Sequence, residues 1–265
     1  MQETQTSLET IELQIDTTHA VEIAKNIYWV GFYDEEEKLH CNPYLIKNGP
    51  ESILIDPGSL PHFPVVARKT FALTSADSIS SIILQHQDPD LCAAVPVFED
   101  LREAAQIDIY CAVGTGYLIH HYGIQGNYIT IPNKVGAYSL TTKGGRALDF
   151  YWTPYAHSFG AMMTHDKATN TLFTSDILGG VGSTWSLYHD EPALANMKAF
   201  MQLIMPSNKI LRYALQMIKD IDPEIAAPQH GQILRKRDIA EVISFLWDLP
   251  CGIDLIDDPR LNAVS

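Results

Sequence analysis

The stretch Ser81–Ala94, SIILQHQDPDLCAA, decides the fold. Its apolar beginning, Ser81 to Leu84, is typical of a buried strand. Pro89 then begins a helix, because proline fits the first helical turn, where its missing N–H has no partner to lose. Between strand and helix, metal-capable side chains stand at every second position: His86, Asp88 and Asp90. We therefore expect these three side chains to turn toward one point beyond the carboxyl end of the strand.

A purely structural role is the alternative for the two aspartates. Asp88 before Pro89 is a good N-cap, and Asp90 in the first turn suits the helix dipole. The two interpretations are balanced on these residues alone. His86 favours the metal site, because a helix cap needs no imidazole.

Composition limits the class of protein. The 265 residues suffice for one large α/β domain or two small ones. A net charge of −14 disfavours binding to nucleic acid, whose phosphates would be repelled. No apolar run reaches the roughly 20 residues of a membrane helix, and the polar amino terminus has no signal core. We expect a cytoplasmic protein without membrane insertion, whose four scattered cysteines are free thiols.

Strand and helix signals predict one domain over most of the chain. Two strands around Asn48-Gly49 indicate an early hairpin, strand–helix alternation follows, and the last third is helical at about 191–204, 207–220 and 235–248. This order favours an α/β (α+β) sandwich of two mixed sheets with helices outside. We expect a flexible leader at residues 1–20, one domain at 21–255 and a tail at 256–265.

Three more metal-capable residues follow predicted strands elsewhere in the chain: His157, Asp176 and His230. Loops at strand ends are where α/β proteins place their chemistry. With the first motif they make three histidines and three carboxylates, the number that a two-metal site needs. Further candidates are His189 at the entrance and Tyr155 and Tyr188 as hydrogen-bond donors near the site. We expect His40 to face solvent.

The order and spacing of these residues resemble the metallo-β-lactamase fold, whose motif is His-x-His-x-Asp-His followed by a distant His, an Asp and a final His. Asp88 at the second motif position resembles the flavodiiron branch, the oxygen and nitric oxide reductases, which carry an acidic residue there. The likeness covers roughly residues 21–250. Other matching stretches are IYWVG (27–31), YLIK (44–47), LID (54–56), FTSD (173–176) and APQHG (227–231).

The resemblance implies a ligand set for two irons. His86, Asp88 and His157 would hold one iron, Asp90 and His230 the other, and Asp176 would bridge them. Carboxylate-rich N/O sites favour iron or manganese, whereas an all-histidine first site favours zinc.

The chain departs from the flavodiiron pattern in three respects. Asp88 replaces the usual, longer Glu. Leu91 stands where the motif's last His belongs, so the second iron would have an open position or a water. The flavodiiron enzymes continue into a flavodoxin-like domain that binds FMN, and a domain of that size needs about 100–150 residues that do not follow Ser265. We therefore expect no FMN in this chain.

The resemblance is greatest to stand-alone oxygen-binding diiron sensors of bacterial chemotaxis, which signal to receptor–kinase machinery. We expect a diferrous site that binds O2 as an oxygen and iron sensor, in a homodimer, with NO as a second candidate ligand. One alternative is an oxygen or nitric oxide reductase that takes electrons from rubredoxin or a separate flavoprotein. A dizinc hydrolase and a binding module with a dead site are further alternatives.

Overall fold

Two β-sheets form the centre of the computed structural model, which describes residues 15–103, 106–182, 186–189 and 193–262. The first sheet has the order β1-β2-β5-β6-β7-β8-β9, with the bounds Val21–Ala24, Ile27–Trp29, Tyr44–Asn48, Glu51–Ile55, Ile79–Leu84, Asp108–Ala112 and Asn127–Ile131. The second has the order β10-β11-β12-β13-β14-β15, with the bounds Ala137–Thr141, Ala147–Trp152, Met162–Asp166, Thr171–Ser175, Ile225–Pro228 and Leu234–Arg235. A separate hairpin pairs β3 (Phe32–Asp34) with β4 (Leu39–Cys41).

The α-helices lie between and after the strands. Within the described residues they are α1 (Phe63–Phe71), α2 (Pro89–Cys92), α3 (Val95–Asp100), α4 (Val113–Ile119), α5 (Ala193–Ile204), α6 (Asn208–Ile221), α7 (Lys236–Leu246) and α8 (Pro259–Asn262). Short 3-10 helices span Ala76–Ser78, His120–Tyr122 and Gly252–Leu255. The three predicted late helices are α5, α6 and α7, and the first two residues of the 191–204 prediction lie outside the described residues.

Among the described residues, three apolar clusters show how the layers stack. The middle cluster joins the facing sides of the two sheets, for example through Ile83 and Phe173. A second cluster packs the early helices on the outer face of the first sheet, and a third packs α5, α6 and α7 on the outer face of the second sheet. The layer order is therefore helices, sheet, sheet, helices, and the predicted fold class is confirmed.

Alternate side chains of β7 pack into two different apolar clusters. Ile83 packs between the sheets, whereas Ile82 and Leu84 pack beneath the helices, as the two-residue side-chain period of a strand requires. Strand β7 runs parallel to β6 and β8, and β13 runs parallel to β14.

The carboxyl ends of these strands meet at one place. Gln229 N–H, just after β14, donates to the carbonyl of Ser175 at the end of β13, at 2.7 Å. Met162 N–H donates to the carbonyl of Gln85, just after β7, at 2.9 Å. The loops that carry the candidate ligands are therefore adjacent.

Local bounds differ from the sequence predictions at two points. The sequence of residues 24–32 is strand-like around its apolar run IYWV (27–30). The structure divides this region, and Asn26 adopts φ 63° in the turn between β1 and β2. The helix begun by Pro89 ends at Cys92, and a new helix begins at Val95. Residues 1–14 of the predicted leader and 263–265 of the predicted tail lie outside the described residues. In the part of the chain that the structure describes, no helix combines the length and the apolar character needed to cross a bilayer.

Candidate metal centre

The loop after β7 brings His86 and Asp88 to the edge of the two sheets. His86 is 1 % exposed, and its Nδ1 lies 2.8 Å from the hydroxyl of Ser175. Asp88 occupies the N-cap position of α2 but makes no side-chain capping hydrogen bond. Its Oδ2 instead lies 3.2 Å from His157 Nε2 and 3.5 Å from His86 Nε2. The capping interpretation of Asp88 is therefore wrong.

His157 is supplied by the connection between β11 and β12. This loop is fastened at its ends by the Thr153 N–H, which donates to the Ala161 carbonyl at 2.8 Å. It is fastened again where the Thr115 hydroxyl of α4 donates to the Gly160 carbonyl at 2.7 Å. These bonds place His157, whose Nε2 lies 2.9 Å from Oδ2 of Asp176.

Asp176 stands in the middle of the cluster, one residue beyond β13 and 3 % exposed. Its Oδ2 faces His157 and also lies 3.5 Å from His86 Nε2. Its Oδ1 faces the other way and lies 3.7 Å from His230 Nε2. One carboxylate thus faces two groups of side chains, as a bridging ligand must.

His230 follows β14 and completes the second group. Its Nδ1 lies 2.8 Å from the backbone carbonyl of His40, and a carbonyl only accepts, so Nδ1 carries the proton of that bond. Nε2 is then the atom that faces Asp90, whose Oδ2 is 3.0 Å away. Fixing the tautomer through the other ring nitrogen is how proteins orient metal-binding histidines.

His40 is buried, although the sequence predicts a solvent-facing side chain. The residue is only 4 % exposed. Strand β4 brings it against the loop of His230, and its ring lies 5.0 Å from that of Tyr33. The alternation of polar and apolar residues in this three-residue strand does not predict the burial.

The cluster fits a metal pair on two observations. Among the described residues, His86 Nε2 and Asp176 Oδ1 are buried and have no hydrogen-bond partner, an arrangement that costs free energy unless something else binds them. One ligand atom from each of His86, His157 and Asp176 lies within 4.8 Å of the other two. The donor set of imidazoles and carboxylates is the one that iron and manganese favour.

The charges of the side chains reinforce one another. Burial opposes protonation of His157, but hydrogen bonds with Asp176 and Asp88 outweigh it and raise the pKa of His157 to about 10. Burial also opposes ionisation of Asp176, yet the charge of His86 and the hydrogen bond with His157 lower the pKa of Asp176 to about 2. The neighbouring imidazoles of His157 and His86 hold the pKa of Asp88 far below its usual value. A metal ion must therefore displace protons from these histidines.

The remaining candidates make contacts outside the six converging side chains. The Tyr155 side chain is 57 % exposed, and Tyr188 packs beside the inter-sheet cluster with the Arg235 guanidinium 4.0 Å from its ring centroid. His189 N–H donates to the Ile233 carbonyl at 2.9 Å. Leu91 is fully buried in the apolar cluster beneath the early helices. Within the described contacts, no hydrogen bond joins Tyr155, Tyr188 or His189 to the six converging side chains.

Sequence reasoning missed the residues that hold the ligands, chiefly Ser175 and Asn42. Ser175 was visible only as the last residue of a predicted strand, and Asn42 as a polar residue before Pro43. Contacts across about 90 to 190 residues give them their roles. No local sequence pattern predicts contacts between residues so far apart in the chain.

Comparisons with known proteins agree with this geometry. A family model described as "ODP family beta lactamase" matches residues 39–231. A type A flavoprotein, fprA, of Rhodobacter capsulatus is 27 % identical over 240 residues, which cover 82 % of this chain and 53 % of that protein. The chain spans about half the length of that curated relative.

Two solved structures share the fold. The peroxy diiron species of the chemotaxis sensor ODP superposes with a TM-score of 0.77 at 23 % identity, covering 93 % of this chain and 100 % of that one. The flavodiiron protein of Giardia intestinalis superposes with a TM-score of 0.76 at 19 % identity, covering 86 % and 58 %. The resemblance drawn from the sequence to metallo-β-lactamase-fold diiron proteins is confirmed.

Proposed function

The chain belongs to the ODP family of the β-lactamase fold, and from this we propose that it is a non-haem diiron protein that binds O2 as a sensor. The main support for this proposal is one observation. Six side chains from four distant places in the sequence converge, and Asp176 faces both groups of them. The same six residues were expected from the sequence to hold two irons.

In this proposal each group of side chains holds one iron. His86, Asp88 and His157 would hold the first iron, and Asp90 and His230 would hold the second. Asp176 is shared, Oδ2 facing the first group and Oδ1 the second.

The residues of the chain prepare both positions. The hydrogen bonds at Nδ1 of His86 and His230 direct their Nε2 atoms to the centre. The carboxylates balance most of the charge of two divalent cations. When bound, a diferrous pair supplies electrons for the reversible or reductive binding of O2. The second group contributes fewer side chains, which leaves more room there for a small ligand.

The sensor function is favoured over its rivals by the family match, because the model described as "ODP family beta lactamase" covers residues 39–231. The solved chemotaxis sensor ODP also superposes on 93 % of this chain. By this analogy, we propose signalling to a chemotaxis receptor–kinase complex and a cytoplasmic homodimer. NO is a further candidate ligand.

A reductase is the second candidate, and the match to a type A flavoprotein favours it. In that case a rubredoxin or a separate flavoprotein would supply the electrons. A dizinc hydrolase agrees less well with the three carboxylates that face the histidines.

Anaerobic loading with iron, followed by exposure to O2 in an absorption spectrometer, tests the proposal. We expect about two irons per chain, as the two groups of side chains require, and a long-lived visible absorption band after O2 is added. Steady O2 consumption with NADH and a reductase would instead identify a reductase. Two zinc ions per chain together with ester turnover would identify a hydrolase.

A further inference from the structure

Asn42 follows strand β4 and lies against the loop that carries His230. It is 1 % exposed. Its Nδ2 donates to the Pro228 carbonyl and to the Gly231 carbonyl, each at 2.9 Å. Its Oδ1 accepts from Trp29 Nε1 at 2.8 Å. Both donor hydrogens of the amide are therefore used on the two sides of His230.

The backbone around Asn42 holds the same loop at the two positions in between. The Asn42 N–H donates to the Gln229 carbonyl at 2.9 Å. The His40 carbonyl accepts from His230 Nδ1 at 2.8 Å. Four consecutive residues, 228 to 231, are thus bonded to residues 40 and 42.

The opposite side of the loop is fixed by close packing. Gly231 adopts φ +83°, and a Cβ atom added there would lie 2.5 Å from the Gly180 nitrogen. The ring of Phe200 meets that of His230 edge to face at 5.5 Å. The loop cannot move toward Gly180 or Phe200. On the remaining side it is held by the hydrogen bonds from Asn42 and by the Tyr44 hydroxyl, which donates to the Pro228 carbonyl at 2.7 Å.

We propose that Asn42 is the positioning residue of the second metal position: it holds the 228–231 loop so that Nε2 of His230 faces Asp90 and Asp176. The inference rests on the proposed function and adds to it a residue that touches no metal.

The effect falls on one metal because the two positions are held differently. The first has His86, Asp88 and His157 besides the shared Asp176. The second has Asp90 and His230 besides Asp176. Misplacing His230 removes one of few ligands at the second position and none at the first.

The test compares metal titrations of the unaltered chain and of Asn42→Asp. Aspartate keeps the shape of asparagine and still accepts from Trp29, but it has no N–H to give to the carbonyls of Pro228 and Gly231. Anaerobic titration with Co²⁺, followed by its visible absorption, counts the equivalents and their affinities. We expect the first equivalent to bind as in the unaltered chain and the second to bind about 10–100-fold more weakly, the usual effect of losing a partner that orients a ligand.

Two further variants complete the experiment. Asn42→Ala removes the amide without adding a charge, so it replaces Asn42→Asp in the experiment if that variant does not fold. We again expect an unchanged affinity for the first equivalent of Co²⁺ and a lower affinity for the second. Asn127→Ala is the matched control, because its Nδ2 bonds Asp108 at 2.9 Å on the first sheet, away from the ligands. Both equivalents should bind this control unchanged.

The outcomes separate the inference from the proposal on which it rests. If the variant binds both equivalents of Co²⁺ equally more weakly, Asn42 only stabilises the fold. If the affinity for the second equivalent is unchanged, Asn42 does not position His230. Either result overturns the inference while leaving the metal pair intact. Binding of fewer than two equivalents by the unaltered chain would overturn the proposed function, and the inference with it.

Discussion

His157 Nε2 lies 2.9 Å from Oδ2 of Asp176, although the two residues follow different strands of the second sheet. The other oxygen of the same carboxylate faces His230 at 3.7 Å. Asp176 is therefore the one side chain among the six that faces both proposed metal positions. Its environment also lowers its pKa to about 2, because the histidine charges outweigh the cost of burial. It is ionised whenever the protein is near neutral pH.

Asp176→Asn should abolish the metal pair. Asparagine keeps the shape but loses the charge, and its nitrogen cannot bind a cation, so one oxygen no longer faces one of the two groups. We expect a loss of affinity for the second equivalent larger than the roughly 100-fold seen when an orienting partner is removed, measured by anaerobic iron titration. Asp166→Asn is the control, because that buried carboxylate pairs with Arg146 far from the cluster. If Asp176→Asn binds two irons as tightly as the unaltered chain, the bridging role is wrong.

Ser175→Ala should lower the affinity of the first metal position. The Ser175 hydroxyl lies 2.8 Å from His86 Nδ1 and sets the direction in which Nε2 points. Since alanine tolerates φ 55° about as poorly as serine does, the change mainly removes the hydroxyl. We expect the first equivalent to bind about 10–100-fold more weakly, measured by the same titration. Ser139→Ala, which removes a hydroxyl bonded to Asp149, should leave both affinities unchanged.

The sequence predicted the fold and the six candidate side chains because both depend on local patterns. The apolar run before His86, the Pro89 helix start and the strand before Asp176 are each visible within about ten residues. A motif order shared with a known fold then placed four separated segments together. The structure agrees with that arrangement in its layers and in the convergence of these side chains.

The contacts that hold the ligands in place could not be predicted from local sequence patterns. Asn42 bonds a loop 186 residues farther along the chain, and His40 is buried by a hairpin that packs on the 179–182 loop through Gly182 N–H and the Lys38 carbonyl, at 3.0 Å. Burial of a short strand depends on what covers it, which alternation alone does not specify. The division of the 24–32 region likewise depended on Asn26, which accepts a left-handed turn conformation more readily than most residues.

Hydrogen exchange in the 179–182 loop should respond to O2. Gly179 N–H donates to the Asp176 carbonyl at 3.0 Å, and Gly180 N–H donates to the His230 carbonyl at 3.3 Å. Because both acceptors belong to proposed ligands, a shift of either ligand changes protection of these amides. We expect a measurable change in exchange on adding O2 to the iron-loaded protein, with strand β12 as the internal reference. Identical exchange with and without O2 would exclude the loop as a moving element.

Lys69 is a buried lysine on α1, remote from the candidate ligands. It is 2 % exposed, its Nζ donates to the Gly31 carbonyl and to the Thr17 carbonyl, and it lies 4.0 Å from the centroid of the Trp29 ring. Burial, followed by the charge of Arg68, lowers the pKa of Lys69 from 10.5 to about 7. Below about pH 7 both the folded and the unfolded chain hold the proton, and Lys69 adds no pH dependence.

Between about pH 7 and 10.5 the unfolded chain keeps the Lys69 proton and the folded chain has released it. The free energy of unfolding therefore gains a term that rises with pH across this window. Lys69→Met keeps the apolar stem but has no proton to lose, so its stability should rise less with pH than that of the unaltered chain. Urea unfolding at pH 7, 8 and 9 measures the difference, and Lys198→Met, at an exposed position of α5, is the matched control. Parallel pH profiles for Lys69→Met and the unaltered chain would mean that Lys69 stays protonated in the folded protein, held by the two carbonyls and the Trp29 ring.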